Sequence, residues 1–233
     1  FASTLEKQNH QNDFFENICQ AVAAVYERCR GGYAVIGLIA GKGMVIFRDP
    51  HGIRPLVCGL RQNEDGARDY IFSSENTMYY PLHFKLMGDV QPGEVVYINE
   101  KGEMQSRVIR KELFTPCIFE YVYLARPDSV MNSISVYRAR LRMGENLAKK
   151  WKNEYPNITP DILIPVPFSS NTAALSMAHH LGLRYSEGLY KNQFIGRTFI
   201  MPGQEQRKKS VVHKLSPQEI EISGKDVLLL DDS

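Results

Sequence analysis

The sequence predicts two fold grammars in succession, an α+β layer over the first hundred-odd residues and a parallel α/β domain after it. Three observations carry this. Between residues 14 and 29, apolar Ile18, Val22, Val25 and Cys29 fall at spacings of four, three and four, which is one face of a helix. Short strands and a hairpin follow it, whereas after the Thr115-Pro116 dipeptide strands alternate with helices, as in a parallel sheet. The last apolar run, Val227-Leu228-Leu229-Leu230, has the unbroken aliphatic character of a strand buried on both faces.

Each element has a local reason. The helix over 14–29 stops at Gly31-Gly32, residues suited to ending a helix. Strands are expected over 33–39, over 44–47 beyond the Gly41-Lys42-Gly43 turn, over 56–58 and over 70–72. Residues 95–98 and 104–109 flank Asn99-Glu100-Lys101-Gly102, a hairpin turn. A boundary is placed between Arg110 and Pro116, giving domains of residues 1–112 and 113–233. Beyond it come a strand over 118–124, a helix over 137–152, a short buried strand over 161–164 and a helix over 172–181. Polar and basic residues 191–214 precede the terminal strand.

Composition narrows the function classes. At about 150 residues per domain, 233 residues make one to two domains. With 43% hydrophobic and 23% charged residues, the chain is neither a disordered tail nor a collagen-like repeat. The 28 Lys and Arg against 26 Asp and Glu leave a charge of +2, too small to advertise nucleic acid or an anionic membrane. Four scattered cysteines without a C-x-x-C pair read as thiols of a reducing cytoplasm. No run reaches the roughly 18 apolar residues of a membrane span, and no signal peptide opens the chain. A start at Phe1 and a stop directly after the terminal strand lead to the expectation of a fragment lacking both ends.

Chemistry concentrates at two strand ends. Ligands of open α/β sheets bind at the carboxyl ends of strands, where Asp231 and Asp232 follow the terminal run. These acids suit a cation or ribose hydroxyls, and Ser233 is placed to begin a phosphate-binding turn. A solvated acidic strand end, or the paired acids of phosphatases and response regulators, would look the same. The second end, Phe168-Ser169-Ser170-Asn171, puts hydroxyls and an amide at a helix N-terminus, to hold an anion or simply to cap the helix. Between them, residues 190–214 carry Lys191, Arg197, Arg207, Lys208, Lys209 and Lys214 with glycines and a proline. Such a stretch is a loop, either a solvated one or a lid that closes over polyphosphate.

These residues resemble a known family. Tyr123-Leu124-Ala125-Arg126-Pro127-Asp128-Ser129, Gly196-Arg197-Thr198-Phe199-Ile200 and the run from Val227 to Ser233 are similar to amidophosphoribosyltransferase. Phe47-Arg48-Asp49-Pro50-His51-Gly52-Ile53-Arg54-Pro55-Leu56 resembles its glutaminase domain. The resemblance runs in order over essentially the whole chain. It implies an α+β N-terminal-nucleophile hydrolase (glutaminase) part followed by an α/β type I phosphoribosyltransferase domain with a parallel sheet. It also implies an enzyme of purine biosynthesis that transfers ammonia from glutamine to 5-phosphoribosyl 1-pyrophosphate (PRPP), giving 5-phosphoribosylamine, glutamate and pyrophosphate.

Carried over residue by residue, the resemblance gives Asp231, Asp232, Ser170 and Ser233 the binding of PRPP. Ser170, Asp231 and Asp232 also face a magnesium ion. Lys191, Arg197 and Tyr123 take the catalytic roles, and Tyr123 and Ile200 wall an ammonia passage. No glutaminase nucleophile is expected in this chain, because the family's catalytic cysteine would precede Phe1; Arg48, Asp49 and Arg54 are expected as scaffold and inter-domain residues rather than catalysts. Phe194 stands where relatives can have Tyr and receives no hydroxyl role. An iron–sulfur cluster is not predicted, although Cys117 stands where one ligand could originate. Purine nucleotides are expected as feedback inhibitors and a homo-oligomer, a tetramer, as the assembly, with neither nucleic acid nor membrane as partner. The alternative is a PRPP-binding regulatory protein of the same fold without turnover. A nucleic-acid module using 207–209 fits the near-neutral charge poorly.

Overall fold

The computed structural model describes residues 1–7, 13–192, 194 and 214–232. It divides into two compact units, one of Phe1–Ile118 and Arg126–Ser135, the other of Phe119–Ala125 and Val136–Ser233.

The first unit begins with a short helix α1 (Ala2–Leu5) and the amphipathic helix α2 (Phe14–Arg28). Strands β1 (Ala34–Ile39), β2 (Gly43–Arg48), β3 (Val57–Gln62), β4 (Arg68–Ser73), β5 (Lys85–Asp89), β6 (Glu94–Asn99) and β7 (Met104–Val108) follow. They form two antiparallel sheets, ordered β1-β2-β6-β7 and β4-β3-β5. Alternation along the central strands explains the layering. Val45 and Phe47 of β2, with Val95 and Tyr97 of β6, pack on Phe15, Ile18, Cys19, Val22 and Tyr26 of α2. Ile46, Val96 and Ile98 point the other way, onto Leu56, Cys58 and Val90 at the second sheet. The central strands β2 and β6 are thus buried on both faces, between a helix and another sheet, while the outer strands β1 and β7 keep exposed residues. The expected hairpin is present at β6–β7, where Asn99 Oδ1 accepts the Lys101 and Glu103 amides, each at 3.0 Å.

Two short strands complete this unit, β8 (Val130–Met131) and β9 (Ile134–Ser135). Asn132 and Ser133 between them both have positive φ, as a two-residue hairpin turn needs. Long-range bonds hold this excursion. The Arg126 amide donates to Glu75 Oε2 (2.8 Å), the Val130 amide to Asn76 Oδ1 (2.9 Å) and the Asn132 amide to Asp89 Oδ1 (2.9 Å). The division of the chain is therefore interleaved, where local sequence suggests one cut between residues 112 and 113.

In the second unit, residues Glu120–Leu124 form a π-helical turn, where a strand is expected over 118–124. Aromatic and branched residues suggested the strand, but such preferences follow packing context. Here Arg140 donates to the carbonyls of Tyr121, Tyr123 and Ala125, so the segment needs no neighbouring strand for them. Helix α3 (Val136–Glu154), strand β10 (Ile162–Pro165) and helix α4 (Asn171–Leu181) come next. Then follow strands β11 (Arg184–Tyr185), β12 (Leu189–Lys191) and β13 (Leu215–Pro217), a one-turn helix α5 (Glu219–Ile222) and strand β14 (Val227–Leu230). The order β11-β10-β14 is parallel throughout, the sheet the strand–helix alternation predicts. Ala148, Leu163, Ala174, Met177, Ala178 and Leu230 form its core. The terminal strand is less buried than expected. It lies at the sheet edge, and Leu229 is 55% exposed, because among the described residues nothing covers that face. No described helix is long and apolar enough to cross a membrane.

Helices α3 and α4 approach closely because Gly144 faces α4, and the Ser176 hydroxyl donates to the Leu141 carbonyl at 2.7 Å. A Cβ at position 144 would fall on the Ala173 carbonyl oxygen. Gly144→Ala is therefore expected to destabilise the protein by about 1–3 kcal/mol, the usual effect of overpacking, read as a lower urea midpoint at unchanged m-value. A neutral or stabilising effect, as in an open helix, would refute the close approach.

Candidate functional site

The parallel pairing of β10 with β14 matches Pro165 to Leu230, so the two strands end side by side. The Val166 amide donates to the Leu230 carbonyl at 2.8 Å, carrying the pairing one step further. Beyond this point the segment after β10 turns through residues 167–170 into α4, and the segment after β14 continues as Asp231 and Asp232. A cavity of about 400 Å³ opens there, with Ser169, Ser170, Asp231 and Asp232 from the strand ends. Arg140, Met143, Asn146, Leu147 and Lys150 of α3 and Val122 of the π-helical turn also line it.

The polar groups are not all spent on structure. Ser170 occupies the N-cap position of α4 but makes no capping bond; its hydroxyl, 1% exposed, donates to the Val166 carbonyl. Asp232 accepts nothing at Oδ2, which is buried and has no hydrogen-bond partner among the described residues. Burial pushes the Asp232 carboxyl above the usual carboxylate range, an effect that the Ser169 hydroxyl opposes and the adjacent Asp231 reinforces. A partly buried carboxylate beside a second acid is an arrangement that a cation or a pair of hydroxyl donors relieves.

The described residues on either side of the basic stretch pair with each other. Strands β12 and β13 pair antiparallel, Lys191 opposite Leu215, and the Asn192 amide donates to the Lys214 carbonyl at 2.8 Å. The Lys191 ammonium lies 5.4 Å from the centroid of the Phe168 ring, within cation–π range. It is thereby placed against the turn that carries Ser169 and Ser170.

Over 234 residues, all of the chain, it is 52% identical to the amidophosphoribosyltransferase of Pseudomonas aeruginosa, and over 237 residues it is 46% identical to that of Saccharomyces cerevisiae. By sequence the chain is similar to amidophosphoribosyltransferases along its whole length. It spans 46% of the length of each of these two relatives. A solved glutamine PRPP amidotransferase from B. subtilis, complexed with ADP and GMP, matches the whole chain with a TM-score of 0.80 at 32% identity over 48% of its own length. A second solved structure, of an allosteric regulatory enzyme of purine biosynthesis, matches with a TM-score of 0.80 at 31% identity over 46% of its length. No family model matches the chain.

For an amidophosphoribosyltransferase relative, the placement of the expected residues is informative. Asp231, Asp232 and Ser170 meet at one cavity, and Lys191 stands against the same turn. Tyr123 does not line the cavity; its ring stacks on Phe119 at 5.2 Å, while the neighbouring Val122 provides the wall. Arg197, Ile200 and Ser233 lie outside the described residues. Cys19 and Cys58 are buried, and burial raises both thiols, Cys58 to about 11, which suits packing rather than nucleophilic use. In the first unit, Arg48 and Asp49 bond mainly to backbone. Arg48 donates to the carbonyls of Gly52, Arg54 and Val90, and Asp49 accepts the amides of Tyr33, His51, Ile53 and Arg54. A cavity of about 510 Å³ beside Arg48 is larger than the strand-end cavity, but its buried Arg48 and half-buried Asp89 are bonded to backbone groups in the same way.

Sequence reasoning missed Arg140, Asn146 and Lys150. One signal was available for Arg140, since the inward stripe of α3 is Val136, Arg140, Gly144 and Ala148, at every fourth position. A charge in such a stripe needs a buried partner.

Because burial raises the Asp232 carboxyl above its range in the unfolded chain, its ionisation at neutral pH opposes folding. Asp232→Asn should therefore raise the urea midpoint at pH 7, and the gain should fade as pH falls through the carboxylate range. Carboxyl NMR titration should also show Asp232 ionising at lower pH in Asp231→Asn. A stability loss at pH 7, or an unmoved titration, would refute this electrostatic picture.

Proposed function

We propose that the protein is an amidophosphoribosyltransferase of the cytoplasm, catalysing the first committed step of purine biosynthesis. Ammonia released from glutamine displaces pyrophosphate from PRPP, giving 5-phosphoribosylamine and glutamate. The observation that carries this reading is the convergence of Asp231, Asp232 and Ser170 at adjoining parallel strand ends, in a chain matching amidophosphoribosyltransferases throughout. The first unit is then the later part of an N-terminal-nucleophile glutaminase domain. The second is most of the core of a type I phosphoribosyltransferase domain.

In this reaction the bond from the anomeric carbon to pyrophosphate breaks ahead of ammonia attack, so positive charge grows on the ribose and negative charge on the leaving group. The site must stabilise both. The carboxylates of Asp231 and Asp232 accept hydrogen bonds from the ribose hydroxyls and face the developing positive charge. Lys191, beside the 167–170 turn, and Arg197 balance the pyrophosphate. Ser233 takes part in PRPP binding. The donor set fits a hard cation, since Asp231, Asp232 and Ser170 are all oxygen donors and Asp232 Oδ2 has no partner among the described residues. Magnesium held there would supply charge neutralisation for the pyrophosphate. Tyr123 and Ile200 wall the passage that keeps ammonia neutral, because protonation in water would remove its nucleophilic pair. Purine nucleotides as feedback inhibitors and a homotetrameric assembly complete the reading; the former is supported by the ADP and GMP of the B. subtilis neighbour.

The test uses the protein expressed from its complete gene. Asp231→Asn with Asp232→Asn should lower pyrophosphate release from PRPP and ammonia by about 10²-fold or more, as loss of groups facing transition-state charge does, while basal glutaminase is spared. Undiminished synthesis would refute the assignment.

A further inference from the structure

We infer that Arg140 is a positioning residue for the reaction proposed above: it holds the 120–125 turn as one wall of the strand-end cavity. The inference rests on that reading for its chemistry and on the following geometry for its placement.

Arg140 is 3% exposed, a cation in the interior of its unit. Its Nε donates to the Tyr121 carbonyl at 2.8 Å, and one terminal nitrogen donates to the Ala125 carbonyl at 2.8 Å and the Tyr123 carbonyl at 3.3 Å. Three carbonyls of one short turn thus converge on one side chain. A π-helical turn leaves such carbonyls without partners of its own, and they must be satisfied when buried. The planar guanidinium fork, with five donors, can serve several of them at fixed directions; a lysine ammonium offers one point charge. The same side chain lines the cavity, as does Val122, the residue between two of the bonded carbonyls.

This wall comes from α3 and the turn, whereas the paired acids come from β14 and Ser170 from the start of α4. The residues expected to hold PRPP are therefore on different elements from the turn Arg140 secures. Loosening the turn should disturb attack by ammonia more than attachment of PRPP. Val122 would lose its fixed place in the wall, and Tyr123, whose own carbonyl is one of the three, its fixed place in the turn.

The experiment compares Arg140→Met and Arg140→Lys in the protein expressed from its complete gene. It measures steady-state synthesis with ammonia and with glutamine, and hydrogen exchange of the amides at 119–125. For Arg140→Met, kcat is expected to fall about tenfold or more, as misplaced groups cause, while KM for PRPP shifts less than about threefold; the turn amides exchange faster. Arg140→Lys recovers part of kcat. A folded Arg140→Met with wild-type kcat, a loss confined to KM for PRPP, or unchanged exchange in the turn would overturn the inference. Should Arg140→Met fail to fold, Arg140→Lys decides alone, a reduced kcat at preserved KM supporting the inference and wild-type kcat overturning it. Failure of the underlying reading is distinct, for it leaves synthesis intact when Asp231 and Asp232 are both replaced by Asn.

Discussion

Pairing of Ile162 with Val227, and of each following residue through Pro165 with Leu230, is the constraint on which the second unit depends. Parallel strands end on the same side of a sheet, so the residues that leave them must share a small volume. Shifting the pairing by one residue would separate Ser170 from Asp232 and turn Leu228 and Leu230 away from the core formed with Leu163, Ala174 and Met177. The hydrophobic packing that stabilises this unit is thus the same arrangement that gathers the polar groups, and neither can change without the other.

Polar side chains in the interior fall into two kinds, and the difference separates scaffold from site. Arg48, Asp49 and Arg140 bond mainly to backbone groups, which makes each a local template for the loop or turn around it. Asp232 behaves otherwise, with a buried oxygen that has no partner among the described residues. Groups held in place yet left under-used are what a ligand-binding surface requires.

Much of this was legible in the sequence because it is local. The alternation on either side of the 99–102 turn, the helix face ending at Gly31, and an acid pair directly after four aliphatic residues all declare themselves within a short window. Other features depend on residues far apart. Residues 126–135 return to the first unit because of Glu75, Asn76 and Asp89, some fifty residues upstream, so no local composition shift marks the crossing. Strand β5, Lys85–Asp89, has neither clean alternation nor a polar boundary, and Gly88 within it takes a positive φ of 137°. Residues 118–124 look extended until Arg140 is known to meet their carbonyls. Tyr123 was selected by resemblance, whereas Val122, a plain aliphatic residue, is the one that reaches the cavity.

Burial of both faces of β2 and β6 has a consequence for how the first unit finds its fold. In a sheet with one wet face, a register slip exposes apolar side chains and is punished by solvent. Here Val45 and Phe47 look one way and Ile46 the other, all nearly equally apolar, so a slip would exchange one greasy layer for another. Alignment must then come from the connections. Gly43, at a φ of 129°, pairs with Asn99, and a side chain there would strike the Ile98 carbonyl. Asn99 in turn fastens the next hairpin through its side chain, Nδ2 donating to Glu103 Oε2 and Oδ1 accepting the Lys101 amide. The accuracy of assembly rests on this small set of turn residues, while the hydrophobic core supplies cohesion without choosing between neighbouring alignments.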